Sequence, residues 1–161
     1  MSTPAELETK FWKALESDRT IMLGIDGAED GHTRPMTAQT QGSRSPIWFF
    51  AKSDNALVEK AGAGQRAIAT FTAKRHDLFA TLHGTLQLES DRSLIDRFWS
   101  RSVAAWYEGG KDDPSLRLLR LDPRSAEIWL HDSSVFDGVK FLFGADPKQQ
   151  YAGKNAEVRL S

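Results

Sequence analysis

His32 to Phe50 reads HTRPMTAQTQGSRSPIWFF, and the fold turns on how this stretch is read. Its first half alternates like a strand but carries Pro35 in the middle. A proline cannot donate to a ladder, so it marks a sheet edge, a bulge or the point where a barrel opens. Gly42-Ser43-Arg44 reads as a turn, and Pro46–Ala51 as the return strand. With Gln41 facing Ser45, counting outward sets Arg34 opposite Lys52. Like charges across a strand pair are destabilising unless an anion lies between them. Ser53 adds a hydroxyl and backbone amides at the expected start of a helix, so Arg34, Lys52 and Ser53 form a candidate phosphate site. The competing reading is two solvated surface cations beside Asp54, which cost little. Trp48-Phe49-Phe50 must send side chains to both faces of its strand. Such a run is either a strand buried on both faces or one wall of a binding groove.

Outward from this hairpin, Thr3-Pro4-Ala5-Glu6 is a capping box with proline in the first turn, opening a helix to about Ser17. Thr20–Ile25 is a short strand, and Asp54–Ala61 a short helix capped by Ser53 or Asp54. Arg66–Ala73 and Asp77–Glu89 alternate as strands. Asp91 caps an expected long helix with Leu94, Ile95, Phe98, Trp99 and Val103 on one face. Leu116–Leu121 and Ala126–His131 are expected as two strands around an Asp122-Pro123 turn, and a last short helix is expected over VFDGVKFLFG. These elements make an α+β, mainly β domain over residues 1–145, followed by a polar tail at 146–161. Hairpin-length connections and the absence of strict βαβ alternation argue against a doubly wound sheet, and a closed or half-closed barrel hides so many short edges.

Composition narrows the function. The 161 residues carry a net charge of −1 and no cysteine. Disulfides, thiolate metal sites and thiol catalysis are excluded, and broad electrostatic binding to nucleic acid or an anionic membrane is disfavoured. The polar N-terminus and the absence of a long apolar run point to a cytoplasmic protein. GAGQRA (Gly62–Ala67) fits a dinucleotide fingerprint only superficially, since a helix precedes it and a strand follows; a glycine terminator is the better reading. The four histidines are scattered without metal-ligand spacing, and no serine sits in a G-x-S-x-G elbow. Arg75-His76-Asp77 has a kinase loop's composition without the rest of the kinase set. Five tryptophans hint at an interface or ligand pocket.

Taken in order, Arg34-Pro35-Met36-Thr37, Trp48-Phe49-Phe50, LHGTL (82–86), Trp99, Ala105-Trp106-Tyr107, the GGKDDP loop and Ala126-Glu127-Ile128-Trp129 resemble the pyridoxamine 5′-phosphate oxidase superfamily. The nearer match is its general stress protein branch. The resemblance implies a six-stranded antiparallel split β-barrel with peripheral helices, dimerising around flavin grooves that hold FMN, with FAD as the alternative. It implies that Arg34, Lys52 and Ser53 hold the phosphate. Met36 and Thr37 would lie along the ring or ribityl chain, and Pro35 marks the opening. Trp48, Phe49 and Phe50 would supply strand backbone and walls, and Trp106 of the partner chain a cover. It further implies a flavin-binding stress protein, with an FMN-dependent oxidoreductase using NAD(P)H, or a flavin-free binding module, as alternatives. Asn55-Ala56-Leu57 departs from the family's frequent basic residue there. The C-terminal AEVRLS lacks the Trp and Arg signature of true pyridoxamine phosphate oxidases, so that activity is not expected. No residue stands out as an acid–base catalyst.

Overall fold

The computed structural model describes residues 3–132 and 135–143. The expected tail at 146–161 lies outside them. Helix α1 (Pro4–Asp18) begins as its sequence dictates: the Thr3 hydroxyl accepts the Glu6 amide at 3.2 Å, and Pro4 occupies a position that needs no donor. Leu7, Phe11, Trp12 and Leu15 recur at helical spacing and form the buried face. Burying each such side chain fully contributes about 1.5–3 kcal/mol. Phe11 meets Phe71 edge-on, with ring centroids 5.9 Å apart, which ties the helix to the sheet. The helix stops at Arg19, whose left-handed backbone (φ 64°) lets its amide reach the Leu15 carbonyl at 2.7 Å. The same bend presents the Arg19 carbonyl to the Ala38 amide, 2.7 Å away.

Strand β1 (Thr20–Ile25) leads through a loop into β2 (Arg34–Thr37) and β3 (Gln39–Thr40), which are separated only by Ala38. Strands β4 (Ile47–Lys52), β5 (Gln65–Thr72), β6 (Leu78–Leu88), β7 (Leu116–Asp132) and β8 (Val135–Leu142) complete the sheet. The order is β2-β1-β5-β6-β7-β4-β3, with β8 on β7, and every pairing is antiparallel. One strand therefore starts on β1 and finishes on β4, and the sheet nearly closes on itself. The expected split barrel is the architecture found. Its strand count is higher than six because the break at Ala38 divides one strand and β8 adds another, making eight among the described residues. The main core fills the barrel and extends under α1 and α2 (Ala56–Ala61). No helix among the described residues is long and apolar enough to cross a membrane.

Several local expectations are corrected. The hairpin pairs Gln39 with Trp48 and Thr40 with Ile47, while β2 pairs with β1, setting Arg34 against Leu23. Arg34 and Lys52 are thus not cross-strand partners, because the strand changes neighbour at Ala38. Asn55 caps α2 by accepting the Leu57 amide at 2.9 Å, displacing Ser53 and Asp54 from that role. The expected long helix is two short ones, α3 (Ser93–Phe98) and α4 (Arg101–Ala104). Trp99 is extended between them, and Ser100 caps the second by accepting the Val103 amide at 3.3 Å. The glycine terminator at Gly62 is as expected: α2 ends at Ala61, and Gly62 and Gly64 take positive φ before β5.

Asp122-Pro123 is no turn. β7 pairs with β6 over nearly its whole length, and its other side passes from β4, ending at Leu121, to β8, starting at Ser125. Pro123 sits where that side has no strand partner and where the β6 ladder carries a bulge, with Arg124 unpaired between Pro123 and Ser125. The carbonyl of Arg124 instead accepts the Phe143 amide at 3.0 Å. VFDGVKFLFG is mainly strand β8 rather than a helix. Gly138 lies opposite Trp129, and a Cβ there would strike the indole at 2.5 Å, so the pairing suits glycine.

Gly84 faces the bulge so closely that a Cβ would collide with the Asp122 carbonyl and with Pro123 Cα at 2.8 Å. Both obstacles are backbone and cannot rotate away. Gly84→Ala is expected to destabilise the fold by about 1–3 kcal/mol, as overpacking does. Denaturant melts should show a lower midpoint with an unchanged slope, whereas an unshifted midpoint would contradict the close approach.

Candidate functional site

The break at Ala38 leaves β2 with β1 as its strand partner and its far edge unpaired by strand among the described residues. Pro35 lies on this edge, where it withholds a donor that the missing neighbour would have used. Between β2 and β4 opens a groove of about 750 Å³, within the range typical of small-molecule sites. Pro35, Met36 and Thr37 form one side, and Phe50, Ala51 and Lys52 the other. Val103, Trp106 and Tyr107, at and after α4, line it as well, together with the junction of α1 and β1 at Asp18–Thr20.

Alternation along β4 sorts the aromatic run. Phe49 points into the barrel and is wholly buried in its core. Trp48 and Phe50 point to the opposite face, against α3 and α4. Phe50 packs edge-on against Trp99 at 6.1 Å and also lines the groove. Trp48 is buried beside Phe98 and donates its indole N–H to Glu89 at 3.1 Å, and it does not line the groove. Lys52 continues the Phe50 face into the groove and makes no ion pair among the described residues.

Arg34 is committed elsewhere. Its guanidinium grips Glu29 bidentately, at 3.2 and 2.9 Å, and the contact holds the Glu29 carboxyl below its ordinary value. The loop that delivers Glu29 is unusual: Glu29 and Asp30 both have left-handed φ, 53° and 54°. Ser53 does not line the groove, and its amide is spent on the Ser115 carbonyl at 2.8 Å. Of the residues singled out in the sequence, Pro35, Met36, Thr37, Phe50, Lys52 and Trp106 therefore converge on the groove. Arg34, Trp48, Phe49 and Ser53 lie outside its lining. Trp106 lines the groove of its own chain and is 72% exposed.

Sequence reasoning missed Arg19, Gln39 and Tyr107. Arg19 reaches the groove only because the helix ends in a left-handed residue, a conformation that arginine does not advertise. Gln39 is buried just past the strand break and also lines the groove. Tyr107 is buried, which with the nearby negative charge of Asp113 pushes its hydroxyl up to about 12, so it stays protonated at physiological pH. Asp113 in turn organises the 109–115 loop. It accepts the amides of Gly109 and Ser115 at 2.9 Å and the Ser115 hydroxyl at 2.7 Å. Those contacts lower its carboxyl, with a smaller contribution from the positive charge of Lys52.

An antiparallel barrel split along one strand, with an aromatic and cationic groove in the split, is the architecture of a split-barrel protein. Residues 6–151 match the family model described as pyridoxamine 5′-phosphate oxidase like, and the chain belongs to that family. It is similar to a protein of Xanthomonas campestris pv. campestris assigned to the general stress family, at 58% identity over 89% of this chain and 100% of that one, with a TM-score of 0.78. It is similar also to the general stress FMN/FAD binding protein of Xanthomonas citri, at 57% identity over 87% of this chain and 99% of that one, with a TM-score of 0.76. Among curated proteins it matches general stress protein 26 of Bacillus subtilis, at 29% identity over 52 residues, 32% of this chain and 36% of that protein.

The buried carboxylate behind the groove has a consequence for acid stability. Glu89 has a side chain only 8% exposed, and it receives Trp48, the Asp91 amide and Arg120. Burial raises its carboxyl, but the hydrogen bonds and the Arg120 charge outweigh burial and leave it below the ordinary 4.5. A depressed carboxyl stabilises the fold while ionised, above that ordinary value, and the contribution fades as pH falls through the lower folded value. Wild type should lose this share of stability on acidification below about 4.5. Glu89→Gln should be less stable at neutral pH by about 1–3 kcal/mol, with the gap closing in acid. Urea melts across that pH range check it; a gap independent of pH would show that the charge is not what matters.

Proposed function

We propose that this protein is a cytoplasmic, homodimeric flavin-nucleotide-binding stress protein that holds FMN in the groove of the split. The observation that carries this reading is Lys52: a cation without an ion pair among the described residues, at the end of a strand whose Phe50 forms an aromatic wall of a groove of about 750 Å³. Lys52 takes the phosphate. Met36, Thr37 and Pro35 run along the flavin's length, with unpaired backbone on the β2 edge available to its polar rim, while Phe50 and Trp106 flank the ring. The FMN/FAD binding named for the similar Xanthomonas citri protein supports the same cofactor class. The exposure of Trp106 suits a residue that a second chain covers.

The role of Arg34 follows from chemistry. A guanidinium fork that fits two carboxylate oxygens fits two phosphate oxygens equally well. Arg34 joins Lys52 on the phosphate by exchanging Glu29 for it, and Ser53 assists from the adjoining turn. Trp48 and Phe49 contribute backbone and support to β4. Bound flavin supplies hydride and electron transfer, and the chain supplies orientation and water exclusion. Tyr107 and Thr37 offer hydroxyl donors, and no side chain is assigned acid–base work. Turnover, where it occurs, is a flavin-dependent oxidoreductase reaction.

Titration with FMN and riboflavin, read by flavin fluorescence, tests the assignment. Lys52→Ala should weaken FMN by about tenfold or more and leave riboflavin nearly unchanged, since only FMN carries the phosphate. Equal losses would remove Lys52 from the phosphate, and no binding of FMN to wild type at micromolar concentration would leave a flavin-free binding module. For Arg34, the exchange predicts that Glu29→Gln tightens FMN and Arg34→Ala weakens it, again sparing riboflavin. If Glu29→Gln has no effect on FMN, Arg34 is a structural partner of Glu29 only.

A further inference from the structure

A second groove, of about 840 Å³, continues from the first and shares Arg19, Gln39 and Ser100 with it. Its lining holds three guanidiniums, Arg19, Arg44 and Arg97, and no carboxylate. None of the three makes an ion pair or a side-chain hydrogen bond among the described residues. Asp18, next to Arg19, lines the first groove; Glu16 accepts the Ser43 hydroxyl at 2.9 Å, Asp96, next to Arg97, pairs with Lys111 at 2.9 Å, and Asp91, which feels Arg97, accepts Ser93. A cleft lined by one sign of charge concentrates counter-ions, and arginine's planar fork matches phosphate oxygens. In a chain whose net charge is −1, three unpaired arginines in one cleft stand out.

The groove's position distinguishes its ligand from the flavin's own phosphate. Gln39, which both grooves share, pairs with Trp48, four residues before Lys52 on β4. At strand rise that separates the arginine groove from Lys52 by about 13 Å along the strand. We propose that the arginine groove binds the phosphate groups of a second nucleotide, held separately from the flavin and entering from the end of the first groove opposite Lys52. Its chemical class is a dinucleotide or nucleoside diphosphate, with Arg44 and Arg97 on the phosphates and Arg19 at the junction. The placement relative to the flavin rests on the function proposed above; the anion subsite itself rests only on the arginines.

Arg44 and Arg97 are exposed, so Arg44→Ala/Arg97→Ala should fold normally, which circular dichroism verifies. Calorimetric titration of wild type and this variant would use pyrophosphate, NADPH, FMN and FAD as probes, with and without bound FMN. The expected result is a loss of at least about tenfold for pyrophosphate and NADPH, with FMN within about twofold. Raising the salt should weaken wild-type pyrophosphate binding more than it weakens the variant's. No binding of pyrophosphate or NADPH to wild type would overturn the proposal, as would equal affinity in the variant. A loss confined to FAD would also overturn it, by assigning the groove to the cofactor's own adenylate. Pyrophosphate binding to flavin-free protein reads the arginine groove alone, whereas absence of FMN binding to wild type reads the flavin assignment alone.

Discussion

The structure depends on one strand having two neighbours in succession. A sheet must satisfy its edge groups, and here the two ends of the sheet are consecutive pieces of a single chain joined at Ala38. The Ala38 amide, released from both ladders, is taken by the Arg19 carbonyl, so the end of α1 pins the point of exchange. The barrel is thereby closed on one side of Ala38 and open on the other. The groove is what closure leaves unfinished, and the residues that line it are those the two part-paired strands bring to its sides.

The packing behind the groove follows from the same arrangement. β4 is covered on both faces, by the barrel core at Phe49 and by α3 and α4 at Trp48 and Phe50. Glu89 adds a polar fastening, joining the β4 indole to Arg120 of β7 at the strand end farthest from Lys52. Lys52, exposed in the groove, thus projects from a strand whose other members are fixed. A cation presented this way keeps little freedom of backbone, so holding it in place costs little further ordering.

Much of this was legible in the chain. The capping box, the alternation of β5 and β6, and the meaning of Pro35 are local signals, and local signals survive into the fold. The misread elements are those where a distant partner decides. Pro123 looks like a turn until β6 supplies a bulge and β4 hands over to β8. VFDGVKFLFG looks helical until the free side of β7 offers it a ladder and Trp129 a glycine to sit against. Arg34 and Lys52 sat opposite each other only on the assumption that one strand keeps one neighbour. The composition of the groove was half visible: Met36, Phe50 and Lys52 stand in strands, whereas Arg19 and Tyr107 arrive from a helix end and a loop whose paths no periodicity records.

The Glu29–Arg34 pair has a meaning beyond geometry. Glu29 lies five residues from the guanidinium it holds, so its carboxylate is present at an effective concentration in the millimolar range for a short tether. Free monoanions competing for Arg34 must exceed that, and most solutes at lower concentration are excluded. The loop that carries Glu29 thus sets the concentration that any free anion must exceed to displace it from Arg34.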